Sequence, residues 1–130
     1  MDVLIAESVD ADAARHDMSV EHIPDEWAIV DIGGETIKLF KKKLKDAKMV
    51  VWNGPMGVFE IEPFAMGTYF LAQALAELDA VTVTGGGETA AAVNRAGVAD
   101  KLTHVSTGGG AFLEFMEGKE LPGVAALEDA

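Results

Sequence analysis

The chain has 130 residues, is 49% hydrophobic and carries a formal net charge of −12. That is one domain's worth of chain with enough apolar residues for a core, and its charge argues against nucleic acid and anionic membrane as partners. It contains no cysteine, which excludes disulfides and thiolate metal sites. No apolar stretch reaches the ~20 residues of a bilayer span, and no signal-peptide layout opens the chain.

Met1 and Asp2 run straight into the strand-like Val3, Leu4, Ile5 and Ala6. The chain therefore starts almost inside an element, which reads as a sign of truncation. Residues 7–19 are polar and acidic and read as a loop or excursion. From there one pattern recurs: a short apolar run meets a glycine cluster, and a helical pattern follows. Residues 28–32 run into Gly33 and Gly34, then a helix over 35–46. Residues 49–52 run into Asn53, Gly54, Pro55, Met56 and Gly57, then a helix over 64–78. Residues 81–84 run into Gly85, Gly86 and Gly87, then a helix over 88–96. Residues 104–107 run into Gly108, Gly109 and Gly110, then a helix over 111–117.

In the second helix Phe64, Phe70, Leu71, Ala74, Leu75 and Leu78 share one face at helical spacing. Pro63 suits a first helical position, and Gly97 and Gly118 suit the positions just past two helix ends. Trp27 and Trp52 read as core. Alternating strand and helix units argue for an α/β fold, a parallel sheet with helices on both faces, as a Rossmann-like three-layer half-domain. Residues 1–130 read as one domain, with no linker and no second unit. Right-handed crossovers place the turns at one sheet edge, where ligands of such folds bind.

Ten of the 14 glycines lie in these turns: Gly33, Gly34, Gly54, Gly57, Gly85, Gly86, Gly87, Gly108, Gly109 and Gly110. Glycine leaves room for a ligand against the backbone. A helix starting next points free N–H groups and a positive dipole end at the same space, which suits phosphate. Tight strand-to-helix turns need glycine anyway, but two Gly-Gly-Gly turns exceed that need. No Lys or Arg lies inside any turn, and the Gly-x-x-x-x-Gly-Lys phosphate loop is absent. Phosphoryl transfer needs cations, so the site reads as half complete, with Mg²⁺ able to supply part of the charge.

Glu88 opens a helix and suits either a cap or a hydrated Mg²⁺ beside phosphate. Glu60 suits ribose hydroxyls or is a surface acid. Thr89 and Thr107 suit phosphate oxygens or element ends. His16, His22 and His104 share no metal-ligand spacing and read as surface residues. Lys38, Lys41, Lys42, Lys43 and Lys45 read as a solvated helix face rather than a phosphate-tracking patch.

These turns resemble phosphoglycerate kinase. Residues 50–60 are similar to that family's nucleotide-site signature, Gly85–Gly86–Gly87–Glu88–Thr89 to its Gly-Gly-Gly-Asp-Ser/Thr turn, and residues 104–111 to its catalytic loop. The end of the chain, from Leu113 to Val124, is similar to the family's C-terminal end, and the match runs in order over essentially the whole chain. The resemblance implies Asn53, Gly54 and Pro55 at the nucleotide phosphates, Val58 at the adenine side, Glu60 on the ribose and Gly33 in the adenine pocket. It implies backbone from Gly86 and Gly87 near the phosphates, Mg²⁺ of ADP or ATP on Glu88 with Thr89 beside it, and amides of Thr107, Gly108, Gly109 and Gly110 facing the transferring phosphoryl group.

The family reaction moves phosphate from 1,3-bisphosphoglycerate to ADP, in the cytoplasm. The chain departs from the family at Glu88, usually Asp, at Gly34, often Pro, and at Phe112, often a small residue. The resemblance also implies that the phosphoglycerate-binding domain and the first half of the nucleotide domain, with its phosphate-binding lysine, lie outside this chain. That leaves an inactive fragment whose partners are the nucleotide and the rest of the kinase. Alternatively, it is a weak nucleotide-binding module or a purely structural one. Exposed sheet edges and apolar faces would favour a homo-oligomer.

Overall fold

A computed structural model describes residues 1–127. Its elements are β1 (Asp2–Ala6), β2 (Arg15–Ser19), β3 (Ala28–Ile32), α1 (Gly34–Leu44), β4 (Met49–Asn53), α2 (Met66–Ala76), β5 (Val81–Gly85), α3 (Gly87–Arg95), β6 (His104–Val105), α4 (Gly110–Met116) and α5 (Pro122–Ala125). Short 3₁₀ turns at Glu62–Phe64 and Ala99–Lys101 complete it.

The strands form two sheets rather than one. β4, β5 and β6 make the parallel sheet that the repeating pattern implies, in that order. β3 is not part of it. It pairs antiparallel with β1, whose other edge carries β2. The 28–32 run looks like the later ones, yet its hydrogen bonds go to β1, and α1 carries the chain from one sheet to the other. β2 corrects the reading of 7–19 as loop. Its sequence, Arg-His-Asp-Met-Ser, is largely exposed and has no apolar alternation. Backbone pairing to β1, not burial, holds it extended.

The parallel sheet builds its core on the face of Trp52. Trp52, Ala72, Leu75, Val93, Val98 and Leu102 pack there, joining β4 to α2 and α3. Because side chains alternate along a strand, Met49, Val51 and Val81 point to the opposite face. There α4 sets Phe112 against Gly85, while those three stay 62%, 41% and 42% exposed. β6 is only two residues long, and threonines lengthen its attachment. Thr82 N–H donates to Thr103 Oγ1 at 3.0 Å, and Thr103 N–H donates to Thr82 Oγ1 at 3.1 Å.

The antiparallel sheet has its own cluster of Ala6, Val30 and Phe64, with Val58 and Ile61 against it. Phe64 therefore belongs to this second core. The 3₁₀ turn with Pro63 near its start precedes α2, so the helix begins later than its apolar periodicity implies. Phe70 is 47% exposed, and Thr68 and Ala72 take buried positions instead. Gly97 and Gly118 do end α3 and α4, at φ 72° and 79°. Trp52 is core, Trp27 is half-buried edge-on to His16, and all three histidines are exposed. Among the described residues no helix is long and apolar enough to cross a membrane.

Candidate functional site

Each glycine turn is followed by a helix, and the chain fills two of those helix starts with its own carboxylates. Asp2 lies against the start of α1. Its Oδ1 accepts from Thr36 N–H at 2.7 Å and its Oδ2 from Glu35 N–H at 3.1 Å. A Cβ on Gly33 would land 2.6 Å from Asp2 Oδ1. Gly33 leaves the space that this carboxylate fills.

Asp31 does the same for α2. It is 2% exposed, and its Oδ2 accepts from Gly67 N–H at 2.7 Å while Oδ1 accepts from Ile32 N–H at 2.8 Å. Gly57 is held against it too, for a Cβ there would sit 2.6 Å from Asp31 Oδ1. Both acids escaped the reading of the sequence. Asp2 caps residues 33 and 34 positions away, with no local signal. Asp31 did carry one: an acid inside the apolar run of β3.

These carboxylates titrate in opposite senses. Burial pushes the Asp2 carboxyl up, but the Glu35 and Thr36 N–H groups and the Thr36 hydroxyl together bring it below its ordinary 3.8. Burial pushes Asp31 up, against the Gly67 and Ile32 N–H groups, and the negative charge of Asp17 adds to the rise. Asp2 therefore contributes stability that is present above 3.8 and lost as pH falls through its lower folded value. Asp31 gives the reverse slope: above 3.8 the folded chain holds its proton longer, so stability falls as pH rises through the raised value. Urea unfolding across pH should show D31N flattening the fall above 3.8. D2A should lose about 0.5–2 kcal/mol, the cost of a missing cap, at neutral pH. Equal slopes for the wild type and D31N would refute the assignment.

Among the described residues, α3 and α4 begin without a side-chain cap. α3 is the longer, nine residues, and its first N–H groups and dipole end form an anion-attracting feature of this sheet edge. In the parallel register Asn53 lies opposite Gly85, which levels the ends of β4 and β5. Three turns meet there. Asn53 Oδ1 and Nδ2 lie 4.0 and 3.9 Å from where a Gly86 Cβ would be, and Thr89 Oγ1 lies 3.8 Å from it. Gly54 N–H donates to Thr89 Oγ1 at 2.8 Å, tying the first turn to α3. The third turn closes in as well: a Cβ on Gly87 would be 4.0 Å from Thr107 O, and one on Gly109 would be 3.9 Å from Gly86 Cα. Gly86 has φ 98° and ψ 145°, a backbone shape that is essentially glycine's alone.

The remaining candidates surround this cluster at the level of their loops. Trp52 Nε1 donates to Gly54 O at 2.6 Å, fixing the loop that carries Pro55. Val58 N–H donates to Val30 O at 2.9 Å, which anchors the next segment on β3 and leaves Glu60 exposed beyond it. Gly108 N–H donates to Ser106 Oγ at 3.3 Å, and Gly110 has open space where a side chain would be. Glu88 is exposed on the first turn of α3. Among the described residues no three His, Asp or Glu side chains group as a metal site. One carboxylate nevertheless fits Mg²⁺, which keeps several waters and takes other ligands from substrate phosphates. Arg95, in the last turn of α3, stacks 5.6 Å from the Phe59 ring.

The fold and its turns define an α/β protein whose parallel strands end in glycine turns against an uncapped helix. A family model for phosphoglycerate kinase matches residues 1–119, and the chain belongs to that family. It is 59% identical over 98% of its length to phosphoglycerate kinase of Desulfosudis oleivorans, of which it covers 32%. It is 58% identical over 99% of its length to that of Pelotomaculum thermopropionicum, covering 33%. The solved phosphoglycerate kinase of Coxiella burnetii superposes with a TM-score of 0.88 at 43% identity, over 95% of this chain and 32% of that one. The chain thus spans about a third of the length of the relatives it matches.

Proposed function

We propose that this chain carries part of the MgADP/MgATP site of a phosphoglycerate kinase and has no kinase activity alone. The observation that supports this is the uncapped start of α3, flanked by Asn53–Gly54 and by Thr107–Gly109. Asn53, Gly54, Pro55, Gly86 and Gly87 border the nucleotide phosphates, where backbone N–H groups and the α3 dipole offset their charge. Glu88 holds the Mg²⁺ of the nucleotide, one methylene longer than the family's usual Asp, with Thr89 beside it. Val58 meets the adenine side, Gly33 lines its pocket and Glu60 accepts from the ribose hydroxyls. Amides of Thr107, Gly108, Gly109 and Gly110 face the phosphoryl group that passes between 1,3-bisphosphoglycerate and ADP.

The cations that neutralise this group in transfer come from the part of the kinase that the relatives carry beyond the matched third. A coupled assay on the purified chain is therefore expected to show no ATP formation from 1,3-bisphosphoglycerate and ADP. Turnover at the rate of an intact kinase would sink the reading. Calorimetry with MgADP separates weak binding at the half site from a chain that binds nothing.

The bare face at Met49, Val51 and Val81, beside the unpaired edge of β4, favours self-association. Light scattering should report mass above one chain at high concentration. A clean monomer throughout would count against a homo-oligomer.

A further inference from the structure

We propose that Asn53–Gly54 is a site of spontaneous deamidation, and that the Thr89 hydroxyl holds it in check. The reaction is intramolecular. The Gly54 amide nitrogen loses its proton to a solvent base and attacks Asn53 Cγ, a nitrogen–carbon bond forms, and the Cγ–Nδ2 bond breaks as the departing NH₂ takes a proton from solvent and leaves as ammonia. Water then opens the five-membered succinimide at either carbonyl, leaving aspartate or isoaspartate at position 53.

Two features favour ring closure here. Asn53 is exposed at the end of β4. Gly54 carries no side chain to hinder the attack, sits at φ 103°, and has no atom within 4 Å of where a Cβ would be. One feature opposes it. Gly54 N–H donates at 2.8 Å to the hydroxyl of Thr89, which is 1% exposed and held by α3. That bond must break before the nitrogen can be deprotonated and turn toward Cγ. The chain's other asparagine, Asn94, is an internal reference. It lies in α3 before Arg95, and its Nδ2 donates to Ala90 O at 2.9 Å.

The consequence for ligand rests on the function proposed above, whereas the chemistry does not. A carboxylate at position 53 places negative charge about 4 Å from where a Gly86 Cβ would be, at the α3 start that would otherwise receive phosphate. Isoaspartate also inserts a methylene into the backbone between the β4 end and the Trp52-to-Gly54 hydrogen bond.

The test is peptide mapping of the purified chain, aged at neutral pH and physiological temperature, for isoaspartate and for the mass gain of amide-to-acid conversion. This readout needs no nucleotide, so it stands apart from the binding assay. In the wild type, conversion should appear at position 53 ahead of position 94. Thr89→Val should accelerate position 53 alone by about two- to tenfold, the factor corresponding to one net hydrogen bond. Thr89→Ser should stay near the wild-type rate. Equal conversion at both asparagines in the wild type would overturn the site. No acceleration in Thr89→Val, or equal acceleration at both asparagines, would overturn the guarding role.

Discussion

Replacing Phe64 by alanine is expected to cost about 3–5 kcal/mol of folding stability, the range for deleting a buried phenyl ring. Phe64 is fully buried and packs with Ala6 and Val30 from β1 and β3. It joins the antiparallel sheet to the segment entering α2. Domains of this size hold about 5–15 kcal/mol in all, so the variant should lose a large share of its stability. Phe64→Leu keeps most of the volume and should lose markedly less. Urea unfolding of the three proteins decides this. A loss below about 1 kcal/mol for Phe64→Ala would mean that the second cluster contributes little.

Gly67→Ala is the second large effect, although it adds only a methyl group. Gly67 is buried in the first turn of α2. A Cβ there would collide with Asp31 Oδ1 and lie 2.5 Å from Ile32 Cγ1. The Gly67 N–H also donates to Asp31 Oδ2 at 2.7 Å. Relieving the collision moves a buried carboxylate off one of its two donors. Overpacking and a weakened charged hydrogen bond together should cost about 2–4 kcal/mol. Gly123→Ala in α5 is the control: no atom lies within 4 Å of its Cβ position, so it should be neutral or stabilising by up to about 1 kcal/mol. Equal stability of the two variants would show that Asp31 can move freely.

Much of the architecture was legible because the signals are local. β4, β5, α3 and α4 follow from apolar runs that stop at glycine and are succeeded by helix formers. The ends of α3 and α4 follow from Gly97 and Gly118. The strand at 15–19 was not legible, since its side chains are largely exposed and carry no apolar alternation. Nor was the placement of β3, since an apolar run does not name its partner strand. Phe70 shows the same limit within α2, where periodicity selects a face but the packing of neighbours settles its centre.

For the candidate site, the residue order was enough to give the glycine turns, the two acids Glu60 and Glu88, the lack of Lys and Arg inside those turns and the resemblance to phosphoglycerate kinase. A match to that family over residues 1–119 supports the resemblance. Tertiary structure decided which helix starts remain free. Four turns look alike in the sequence, yet Asp2 occupies the start of α1 and Asp31 that of α2, leaving those of α3 and α4, with α3 beside Asn53, Gly54 and Thr107. Those caps reach across 33 to 36 residues. A carboxylate satisfies a helix dipole only where the folded chain delivers it, and no spacing along the sequence records that delivery.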